Sequence, residues 1–195
     1  RIDTISFKGQ RGDVAYGRFP DGIGPWSFLT VPTPRAANAP AYEGAVADTK
    51  FSHDRGFYEA PFDVTITCAT PGATIYYTLD GSEPASVGAR LPVGRVYSGP
   101  IRISSTTCLR ARAVRNGWLS TPIHTRTYLF VADVIMRTQG EVLARGYPDR
   151  WFGTQPADYE MDAQVWSDPA YAPLLDDALL AIPTLSLVTH KDNFF

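Results

Sequence analysis

The sequence predicts a mainly β protein: an immunoglobulin-like β-sandwich, preceded by an N-terminal β-hairpin segment and followed by a small C-terminal α/β segment. Three observations lead to this fold class. The 195 residues include 16 Gly and 16 Pro, and 12% are aromatic, which is typical of short strands separated by turns. Between residues 57 and 130, apolar and polar residues alternate in short runs that end at Gly or Pro. After residue 130 the alternation gives way to helical spacing.

The charge balance argues against several classes of protein. Lys and Arg number 18 and Asp and Glu 20, so the formal net charge is −2. We expect no nucleic-acid partner, because binding to phosphates needs a basic surface. No apolar run approaches the roughly 18 residues that predict a membrane span. Hydrophobic residues make up 44% of the chain, which is enough to build a core.

Metal and cofactor sites are not expected either. Two cysteines, Cys68 and Cys108, are too few for a zinc site on their own, and His53, His124 and His190 are far apart in the chain. The sequence also lacks a phosphate-binding glycine loop and a metalloprotease motif. We therefore predict no catalytic residues, no metal ligands, no cofactor and no enzymatic activity, and the sequence does not identify binding residues.

Residues 1–38 are predicted to form a β-hairpin. Pro20-Asp21-Gly22 is a turn signature, with Gly where a positive φ is needed, and Trp26 lies on the returning strand. Residues 32–50 lack periodicity and carry three prolines, which favours an extended chain. We therefore assign residues 39–50 to a linker.

Residues 51–130 carry the clearest strand signals and are assigned to the sandwich. Short predicted strands, among them one over 63–67, are separated by turns at about 8–12-residue spacing. Alternation along these strands predicts which side chains are buried. The predicted core residues are Val64, Ile66, Ile75, Leu109, Ala111 and Ala113.

Residues 131–195 are predicted to be a small α/β segment whose core is incomplete. Ser167 or Asp168 is a good N-cap, so we expect a helix over 168–182, and Thr184–Val188 is expected to be a buried strand. One helix and one strand cannot cover each other on every side. We therefore expect packing partners in the sandwich, beyond residue 195 or in another molecule.

The N-terminal segment resembles the closing hairpin of a bacterial lamin-tail-type domain. The resemblance rests on Tyr16–Gly22 (YGRFPDG), on Trp26 and on Pro32–Asn38 (PTPRAAN), where Arg35 replaces the family's usual Gly. It implies that residues 1–38 are only the last part of such a domain.

Residues 51–130 resemble the chitobiase/β-hexosaminidase C-terminal-type module, since several sequence blocks occur in the same order. The blocks are Ala69–Thr78 (ATPGATIYYT), Asp80–Pro84 (DGSEP), Tyr97–Ile101 (YSGPI) and Thr107–Ala113 (TCLRARA). The resemblance implies an immunoglobulin-like sandwich appended to extracellular bacterial proteins. A secreted or cell-surface location is therefore expected.

This extracellular setting permits a disulfide, and we expect one between Cys68 and Cys108, which both fall on strands of the sandwich. Closing a loop of about 40 residues would stabilise the fold by roughly 4 kcal/mol. Strand alternation places Cys68 inward but Cys108 on the Arg110 face. The bridge therefore requires a bulge near Thr107.

The C-terminal segment is similar to the stretch that opens a CotH-type, kinase-like domain of large surface proteins. The similarity rests on Val131–Ile135 (VADVI), Pro156–Asp162 (PADYEMD) and Ile182–Val188 (IPTLSLV), and the order of the three modules supports it. It implies that the catalytic motifs of such a kinase would lie after residue 195.

Three polar motifs have an ordinary structural interpretation that we prefer. Asp80 and Glu83 could offer oxygen ligands to Ca²⁺, but Asp-Gly is common turn chemistry. Arg11-Gly12-Asp13 matches an integrin-binding tripeptide, but a solvated loop explains it more simply. An acidic cluster could serve acid–base chemistry, but no base or nucleophile accompanies it, so we expect solvated acids. The cluster comprises Asp158, Glu160, Asp162, Asp168, Asp176 and Asp177.

Four aromatic residues of the sandwich, Tyr76, Tyr77, Tyr97 and Trp118, are candidates for a platform that stacks on sugar rings. Tyr76 and Tyr77 are adjacent on a strand, so one faces the core and the other faces outward. The alternative is that the outward tyrosine packs under a loop.

Three functions remain open. The preferred hypothesis is a non-enzymatic structural, spacer or adhesion segment of a secreted bacterial cell-surface protein, whose partners are the remainder of a larger polypeptide or other surface proteins. The second is a carbohydrate-binding accessory module with polysaccharide as its partner. The third is the N-terminal part of a CotH-like kinase whose catalytic residues lie beyond residue 195.

Overall fold

The structure is a computed structural model that describes residues 4–7, 10, 12–84 and 94–189. Within these residues the strands are β1 (Tyr16–Arg18), β2 (Trp26–Phe28), β3 (Lys50–Phe51), β4 (Gly56–Phe57), β5 (Phe62–Val64), β6 (Ile66–Thr67), β7 (Thr74–Thr78), β8 (Arg95–Val96), β9 (Ile101–Ile103), β10 (Thr107–Val114), β11 (His124–Leu129), β12 (Arg150–Trp151) and β13 (Gln155–Pro156). The helices are α1 (Val131–Ile135), α2 (Gln139–Ala144), α3 (Ala163–Trp166) and α4 (Leu175–Ala181), with a 3-10 turn at Ala172–Leu174.

A five-stranded sheet forms one layer of the sandwich. Its strand order is β4-β11-β10-β7-β8, with β4 parallel to β11 and the other pairs antiparallel. The antiparallel pairs β3–β6 and β5–β9 contribute side chains to the same core cluster. The predicted strand over 63–67 is divided at Thr65, because β5 pairs with β9 whereas β6 pairs with β3. One stretch of chain therefore belongs to both of the short pairs.

The core lies where the alternation of β10 predicts it. Leu109, Ala111 and Ala113 are fully buried, while the intervening residues of β10 are only partly buried on the other side of the sheet. All six predicted core residues are buried, and the most exposed of them is Ile75 at 9%. These observations confirm the mainly β class and the immunoglobulin-like sandwich.

Residues 39–50, predicted to be a linker, are instead bridged to the hairpin on one side and to the sandwich on the other. Ala41 forms an antiparallel bridge with Leu29, which extends the hairpin sheet of β1 and β2. Only four residues later, Ala45 forms a parallel bridge with Leu119 of the sandwich. Sequence patterns did not reveal this role, because the pairing partner is distant in the chain.

We call residues 41–46 the incoming segment. Its last residue, Val46, is 2% exposed and belongs to the sandwich core. The hairpin and the sandwich therefore share one extended segment, with no free chain between them.

The chain leaves the sandwich at Phe130, at the end of β10 opposite to the incoming segment. Because β10 and β11 are antiparallel, Phe130 lies beside the start of β10, where its N–H donates to Thr106 Oγ1 over 3.0 Å. The N–H of Thr106 donates in turn to the Asp133 carboxylate of α1, which begins at the next residue after Phe130. Leu119, the partner of the incoming segment, lies beyond the other end of β10. The eight residues of β10 separate the two attachments by about 27 Å.

The predicted helix over 168–182 is shorter than expected. The chain forms a 3-10 turn containing Pro173, and the regular helix α4 begins only after it. A proline inside an α-helix removes a backbone donor, so one continuous helix through this position is disfavoured.

The buried strand predicted at Thr184–Val188 is not formed, and Leu185 is 80% exposed. This stretch instead lies against β11, where Ser186 Oγ is 2.9 Å from Thr127 Oγ1. In the described part of the chain, residues 184–188 form no main-chain hydrogen bond with another strand, and the contact to β11 is made by side chains. A strand requires partners for its N–H and C=O groups, so the apolar run stays irregular.

The C-terminal segment has little buried interior. Within 131–189, Ala157 is the only buried residue in the described part, and Ile182 and Leu187 are well exposed. Polar contacts organise the segment instead: Gln139 Nε2 donates to Ala157 O over 2.8 Å, and Tyr159 N–H donates to Gln139 Oε1 over 2.9 Å. None of the helices in the described residues combines the length and the apolar character needed to cross a bilayer.

Candidate functional site

The two cysteines are free thiols, so the predicted disulfide between Cys68 and Cys108 is not formed. Cys68 packs against the core, and its Sγ donates to Ala47 O over 3.1 Å. Cys108 lies on the opposite side of β10 from Leu109, which belongs to the core. The bulge that the bridge required is absent, because β10 pairs with β11 in continuous register from Thr107 onward. Burial raises the pKa of the Cys108 thiol.

Three of the four candidate aromatic residues, Tyr77, Tyr97 and Trp118, pack against the core of the sandwich. Tyr77 packs against the core, and the Tyr97 ring meets it edge-on, with the centroids 6.3 Å apart. The Tyr97 hydroxyl also accepts a hydrogen bond from Ile66 N–H over 3.1 Å. Tyr76 lies on the other side of β7, half-buried beside its register partner Arg112. The four residues therefore do not form one exposed platform.

Trp118 holds the incoming segment against the sandwich through contacts with Glu43 and Gly44. Its Nε1 donates to Glu43 Oε2 over 3.1 Å, and the Arg115 guanidinium lies over its ring at 4.1 Å. Gly44 passes so close to the ring that an added Cβ would lie 2.7 Å from it. The close approach explains why glycine stands at this position.

Main-chain hydrogen bonds pair the incoming segment with the stretch that follows β10, and the two run parallel. Three bonds, each 2.9 Å long, run from Glu43 N to Gly117 O, from Leu119 N to Gly44 O and from Val46 N to Leu119 O. Further along, β4 pairs parallel with β11, and Tyr58 N–H donates to Leu129 O over 2.8 Å. The chain from the incoming segment to β4 is thus bound at two places to the chain from Leu119 to β11.

Side chains between these two places add further contacts that no sequence motif predicted. Thr49 Oγ1 is 2.6 Å from His124 Nδ1, and His124 Nε2 is 3.7 Å from Asp48 Oδ1. A hydroxyl, an imidazole and a carboxylate in series are the groups of a hydrolase triad. Thr49, however, is only 6% exposed, whereas a nucleophile must be reachable by its substrate. The arrangement therefore fastens the loop before β3 to β11.

Tyr128 provides a second such contact. It is fully buried, and its hydroxyl donates to His53 O over 3.1 Å. Burial, with a smaller contribution from the neighbouring Tyr58, raises the pKa of Tyr128 to about 12.

The Asp80-Gly81-Ser82 turn is stabilised by its own side chains. Asp80 Oδ1 accepts hydrogen bonds from Ser82 Oγ over 2.6 Å and from Ser82 N–H over 3.0 Å, and these bonds lower the pKa of Asp80. Glu83 Oε1 lies 3.7 Å from the guanidinium of Arg110. Within the residues that the structure describes, no group of His, Cys, Asp and Glu could hold a metal ion. The carboxylates at this turn are engaged by protein groups.

The predicted acidic cluster is spread over caps and turns. Asp162 caps α3 by accepting from Gln164 N–H over 2.8 Å, and Asp168 accepts from Ala170 N–H over 2.7 Å. The remaining members have similar positions: Asp158 accepts from Glu160 N–H, Glu160 accepts from Gln139 N–H, and Asp176 and Asp177 lie in the first turn of α4. Carboxylates at such positions satisfy backbone donors.

Two other candidates lie partly or wholly outside the described residues. Of the Arg11-Gly12-Asp13 tripeptide, Arg11 is outside them, while Gly12 and Asp13 are exposed ahead of β1. His190 is also outside them.

The hairpin contains a cleft of about 550 Å³ that the sequence analysis did not predict. The register pairs Tyr16 with Phe28 and Arg18 with Trp26, so these four side chains share one face of β1 and β2. The rings of Tyr16 and Trp26 are nearly parallel, at 18°, with centroids 6.0 Å apart. Residues 32–34 complete the wall of the cleft.

Local sequence fixes the shape of this cleft. A Cβ at Gly24 would lie 1.9 Å from Phe19 O, so the turn between β1 and β2 requires glycine there. The Arg18 guanidinium donates to Gly24 O over 2.7 Å and lies 5.0 Å from the centre of the Trp26 ring. Asn38 Nδ2 donates to Arg18 O over 2.8 Å and ties the following segment to β1.

Two polar atoms of cleft residues have no hydrogen-bond partner among the residues that the structure describes. Trp26 Nε1 and Thr33 Oγ1 are both buried and unpaired, and both residues line the cleft. Leaving a buried polar group unpaired costs about 1–3 kcal/mol. The sequence analysis placed Trp26 on a strand and Thr33 in an extended chain, and no pattern in the sequence links the two.

Comparison with known proteins concerns the central module. Residues 53–125 match the family model described as the chitobiase/beta-hexosaminidase C-terminal domain. No match was found among the curated proteins or among the solved structures. The matched range lies within 51–130, so the resemblance noted for that segment is confirmed, while the lamin-tail-type and CotH-type resemblances stay predictions. Residues 53–125 are therefore similar to this domain in sequence, and the sandwich has its immunoglobulin-like fold.

Proposed function

We propose that the sandwich is a load-bearing spacer between the hairpin and the C-terminal segment. One observation carries this proposal: the incoming segment and Phe130 lie at opposite ends of β10. A module whose chain enters and leaves at opposite ends adds its own length to the polypeptide. The match to the chitobiase-type domain is compatible with an accessory or structural role of this kind.

The direction of the paired stretches determines how a pulling force acts on the module. The incoming segment and β4 run parallel to the stretch from Leu119 to Leu129. Force on the two attachments pulls these parallel stretches in opposite directions along their length. The hydrogen bonds between them are then loaded together rather than one after another, which favours resistance to unfolding.

Both junctions support a stiff connection. At one end the incoming segment belongs to the hairpin sheet and to the sandwich within six residues. At the other end α1 begins directly after Phe130 and is tied to Thr106 by Asp133. A free linker at either junction would absorb extension before the module carried load.

The sandwich surface offers less support for the alternative of a carbohydrate-binding accessory module. Tyr77 and Tyr97 contact each other and the core, and Trp118 is held by Arg115 and Glu43. Tyr76 is left as a single half-buried ring on the opposite face, whereas a platform for a sugar chain needs several free aromatic faces.

Single-molecule force spectroscopy on the full 195-residue chain tests the spacer proposal. With handles at the two chain ends, the sandwich should unfold in one step that lengthens the tether by about 300 Å, from roughly 90 released residues. In the second geometry the N-terminal handle stays and the C-terminal handle is moved to Asn116, in the exposed turn beside the incoming segment. The force then separates the two paired stretches from one end, so that the same hydrogen bonds break one after another. The unfolding force should then be lower, and equal forces in the two geometries would contradict the proposal.

Substitutions in the incoming segment provide the matched comparison. Glu43→Pro removes the N–H that bonds to Gly117 O, so it should lower the unfolding force in the end-to-end geometry. Ala45→Pro is the control, because the bonds to Gly117 and Leu119 use the N–H groups of Glu43 and Val46 and not the N–H of Ala45. Glu43→Ala removes only the carboxylate that accepts from Trp118, and thus separates the two contributions.

The flanking segments belong to the same proposal. We propose that residues 1–38 close a lamin-tail-type domain and that residues 131–195 open a CotH-type domain, in a secreted or surface-exposed bacterial protein. The exposed apolar residues of the C-terminal segment, such as Leu185, support its need for further packing partners. We also propose that this chain is not itself an enzyme. Saturable ATP binding or phosphate transfer with Mg²⁺ or Mn²⁺ would refute that part and favour the kinase alternative.

A further inference from the structure

We propose that Asn116 is a site of spontaneous covalent modification: it loses its side-chain amide to form isoaspartate, and this loosens the hydrogen bond between Glu43 N–H and Gly117 O. The site lies in the exposed turn after β10, beside the incoming segment. The modification goes beyond the spacer function and does not depend on it, because it concerns the chemistry of the turn and not the load that the turn carries.

The turn exposes the reacting groups to water. Gly117 has a φ of 73°, and Trp118 N–H donates to Arg115 O over 3.1 Å, so residues 115–118 form a four-residue turn with glycine at its third position. Asn116 and Gly117 are both exposed. Solvent therefore reaches the Asn116 side chain and the peptide unit that follows it.

The peptide unit between Asn116 and Gly117 is unbonded. Within the residues that the structure describes, neither its C=O nor its N–H has a hydrogen-bond partner, and the Asn116 side-chain amide has none either. The peptide units on both sides are held, because Arg115 O accepts from Trp118 N–H and Gly117 O accepts from Glu43 N–H over 2.9 Å. The free unit can rotate without breaking a hydrogen bond, and glycine tolerates the φ values that this rotation requires.

The reaction balances with water as its one co-reactant. The Gly117 nitrogen bonds to Asn116 Cγ, the bond from Cγ to Nδ2 breaks, and Nδ2 leaves as ammonia with the proton of the Gly117 nitrogen. Ring closure is intramolecular, and Gly117 has no side chain to hinder it. The cyclic imide then takes up a water molecule at either carbonyl carbon. Opening at one carbon gives aspartate, and opening at the other gives isoaspartate, whose main chain runs through the former side chain.

Asn38 is the matched comparison within the same chain. Its Nδ2 donates to Arg18 O over 2.8 Å, and its main-chain N–H donates to Asp21 Oδ2 over 2.9 Å. The residue after it is Ala39, whose Cβ crowds the attacking nitrogen. Because both the leaving group and the backbone are held there, Asn38 should stay intact under conditions in which Asn116 reacts.

Isoaspartate changes the turn because it adds an atom to the main chain. Gly117 O accepts from Glu43 N–H, and the Glu43 carboxylate lies so close that a Cβ added to Gly117 would be 2.7 Å from Oε1. The longer turn displaces Gly117 from this tight position. The Glu43 N–H should then exchange its hydrogen with solvent several-fold faster than in the fresh protein.

Peptide mapping by mass spectrometry tests the modification in the full chain, incubated folded in mildly alkaline buffer, with a urea-unfolded sample in parallel. We expect the peptide with Asn116 to gain about one dalton and to yield isoaspartate, while the peptide with Asn38 stays unchanged. The rate should rise several-fold from neutral to alkaline pH, because the attacking nitrogen must lose its proton. Asn116 that stays intact in the folded chain after it has converted in the unfolded one would overturn the proposal, and so would equal conversion at Asn38.

Two variants separate the added main-chain atom from the added charge. Asn116→Gln keeps an amide but closes a less favourable ring, so it should stay unmodified and keep slow exchange at Glu43 N–H after the same incubation. Freshly prepared Asn116→Asp carries the new charge without the longer main chain, and should also exchange slowly. If fresh Asn116→Asp exchanges as fast as the aged wild type, or if the aged wild type exchanges no faster than the fresh protein, the proposed effect of isoaspartate on the turn is wrong.

Discussion

Thr121 and Ala113 are joined by two hydrogen bonds inside the sandwich. The N–H of Thr121 donates to Ala113 O over 3.1 Å, and the N–H of Ala113 donates to Thr121 Oγ1 over 3.0 Å. Thr121 is fully buried, and its hydroxyl donates onward to Pro122 O over 2.8 Å. A side-chain oxygen thus serves as acceptor for a backbone donor just beyond the last registered pair of β10 and β11.

Thr121→Val should destabilise the protein by about 1–3 kcal/mol, because valine has the same shape but leaves the Ala113 N–H buried without an acceptor. Urea unfolding followed by circular dichroism measures the change. Thr125→Val is the matched control on β11, where the residue is only partly buried, and it should stay within about 0.5 kcal/mol. Similar losses in both variants would assign the effect to the β11 strand in general rather than to this hydroxyl.

Leu109→Ala should cost about 2–5 kcal/mol of unfolding free energy, since Leu109 is fully buried in the core. Val96→Ala is the control on the same sheet, because Val96 is 56% exposed and should change stability by less than about 0.5 kcal/mol. Chemical denaturation of both variants gives the comparison. A loss below about 0.5 kcal/mol for Leu109→Ala would show that this face of β10 does not carry the core.

The protein should lose stability as the pH rises from about 10 to about 12. The pKa of Tyr128 is raised to about 12 by burial, against an ordinary value near 10, so its neutral form is favoured in the folded state. The contribution of Tyr128 to the free energy of unfolding is complete below pH 10. It is lost as the pH rises through the pKa that Tyr128 has in the folded state, and the total loss is on the order of 2 kcal/mol.

Unfolding measured from pH 9 to pH 12 tests this expectation in the wild type and in Tyr128→Phe. The variant should show a shallower decline, because phenylalanine has no hydroxyl to ionise. Parallel curves for the two proteins would mean that other groups cause the alkaline loss.

Both cysteines should react with a thiol reagent when the unreduced protein is denatured, because Cys68 and Cys108 are free. In the folded protein, Cys108 should react slowly, since burial raises the pKa of its thiol and lowers the thiolate fraction. Cys108→Ser should remove this slow phase. Finding no reactive thiol in the denatured chain would contradict the structure and restore the disulfide.

The sandwich could be predicted because its strands carry local signals. Leu109, Ala111 and Ala113 alternate with Arg110 and Arg112, and a buried strand with one polar side gives that pattern directly. Turn residues such as Asn116-Gly117 mark where the strands end. For these elements, the local pattern and the tertiary packing agree.

The incoming segment could not be predicted in the same way. Its pairing with Leu119 is a long-range contact, and the segment is too short and too rich in small residues to show a period. The apolar run at Thr184–Val188 shows the opposite error, since hydrophobicity indicated a buried strand, but the run pairs with no strand of the described residues. In both cases the deciding factor was a partner that the local sequence does not describe.

The cleft illustrates a third limit. Tyr16, Trp26 and the turn at Gly22 could be read as parts of a hairpin, but Thr33 comes into the same wall because long-range bonds, such as the one from Asn38 to Arg18 O, return the following chain to β1. Unpaired polar atoms are also a property of packing rather than of residue type. A sequence pattern can therefore place Trp26 on a strand without revealing that its nitrogen has no partner.

The segment shared by the hairpin sheet and the sandwich also fixes direction. Because Ala41 is bonded to Leu29 of the hairpin and Ala45 to Leu119 of the sandwich along one extended stretch, rotation of the hairpin about the sandwich strains these bridges. The cleft consequently has a fixed orientation about the long axis of the sandwich. Along that axis the chain continues for about 27 Å, the length of β10. Modules joined in series through such joints would present their faces in a regular rotational order, and the reach of the polypeptide would grow in fixed steps.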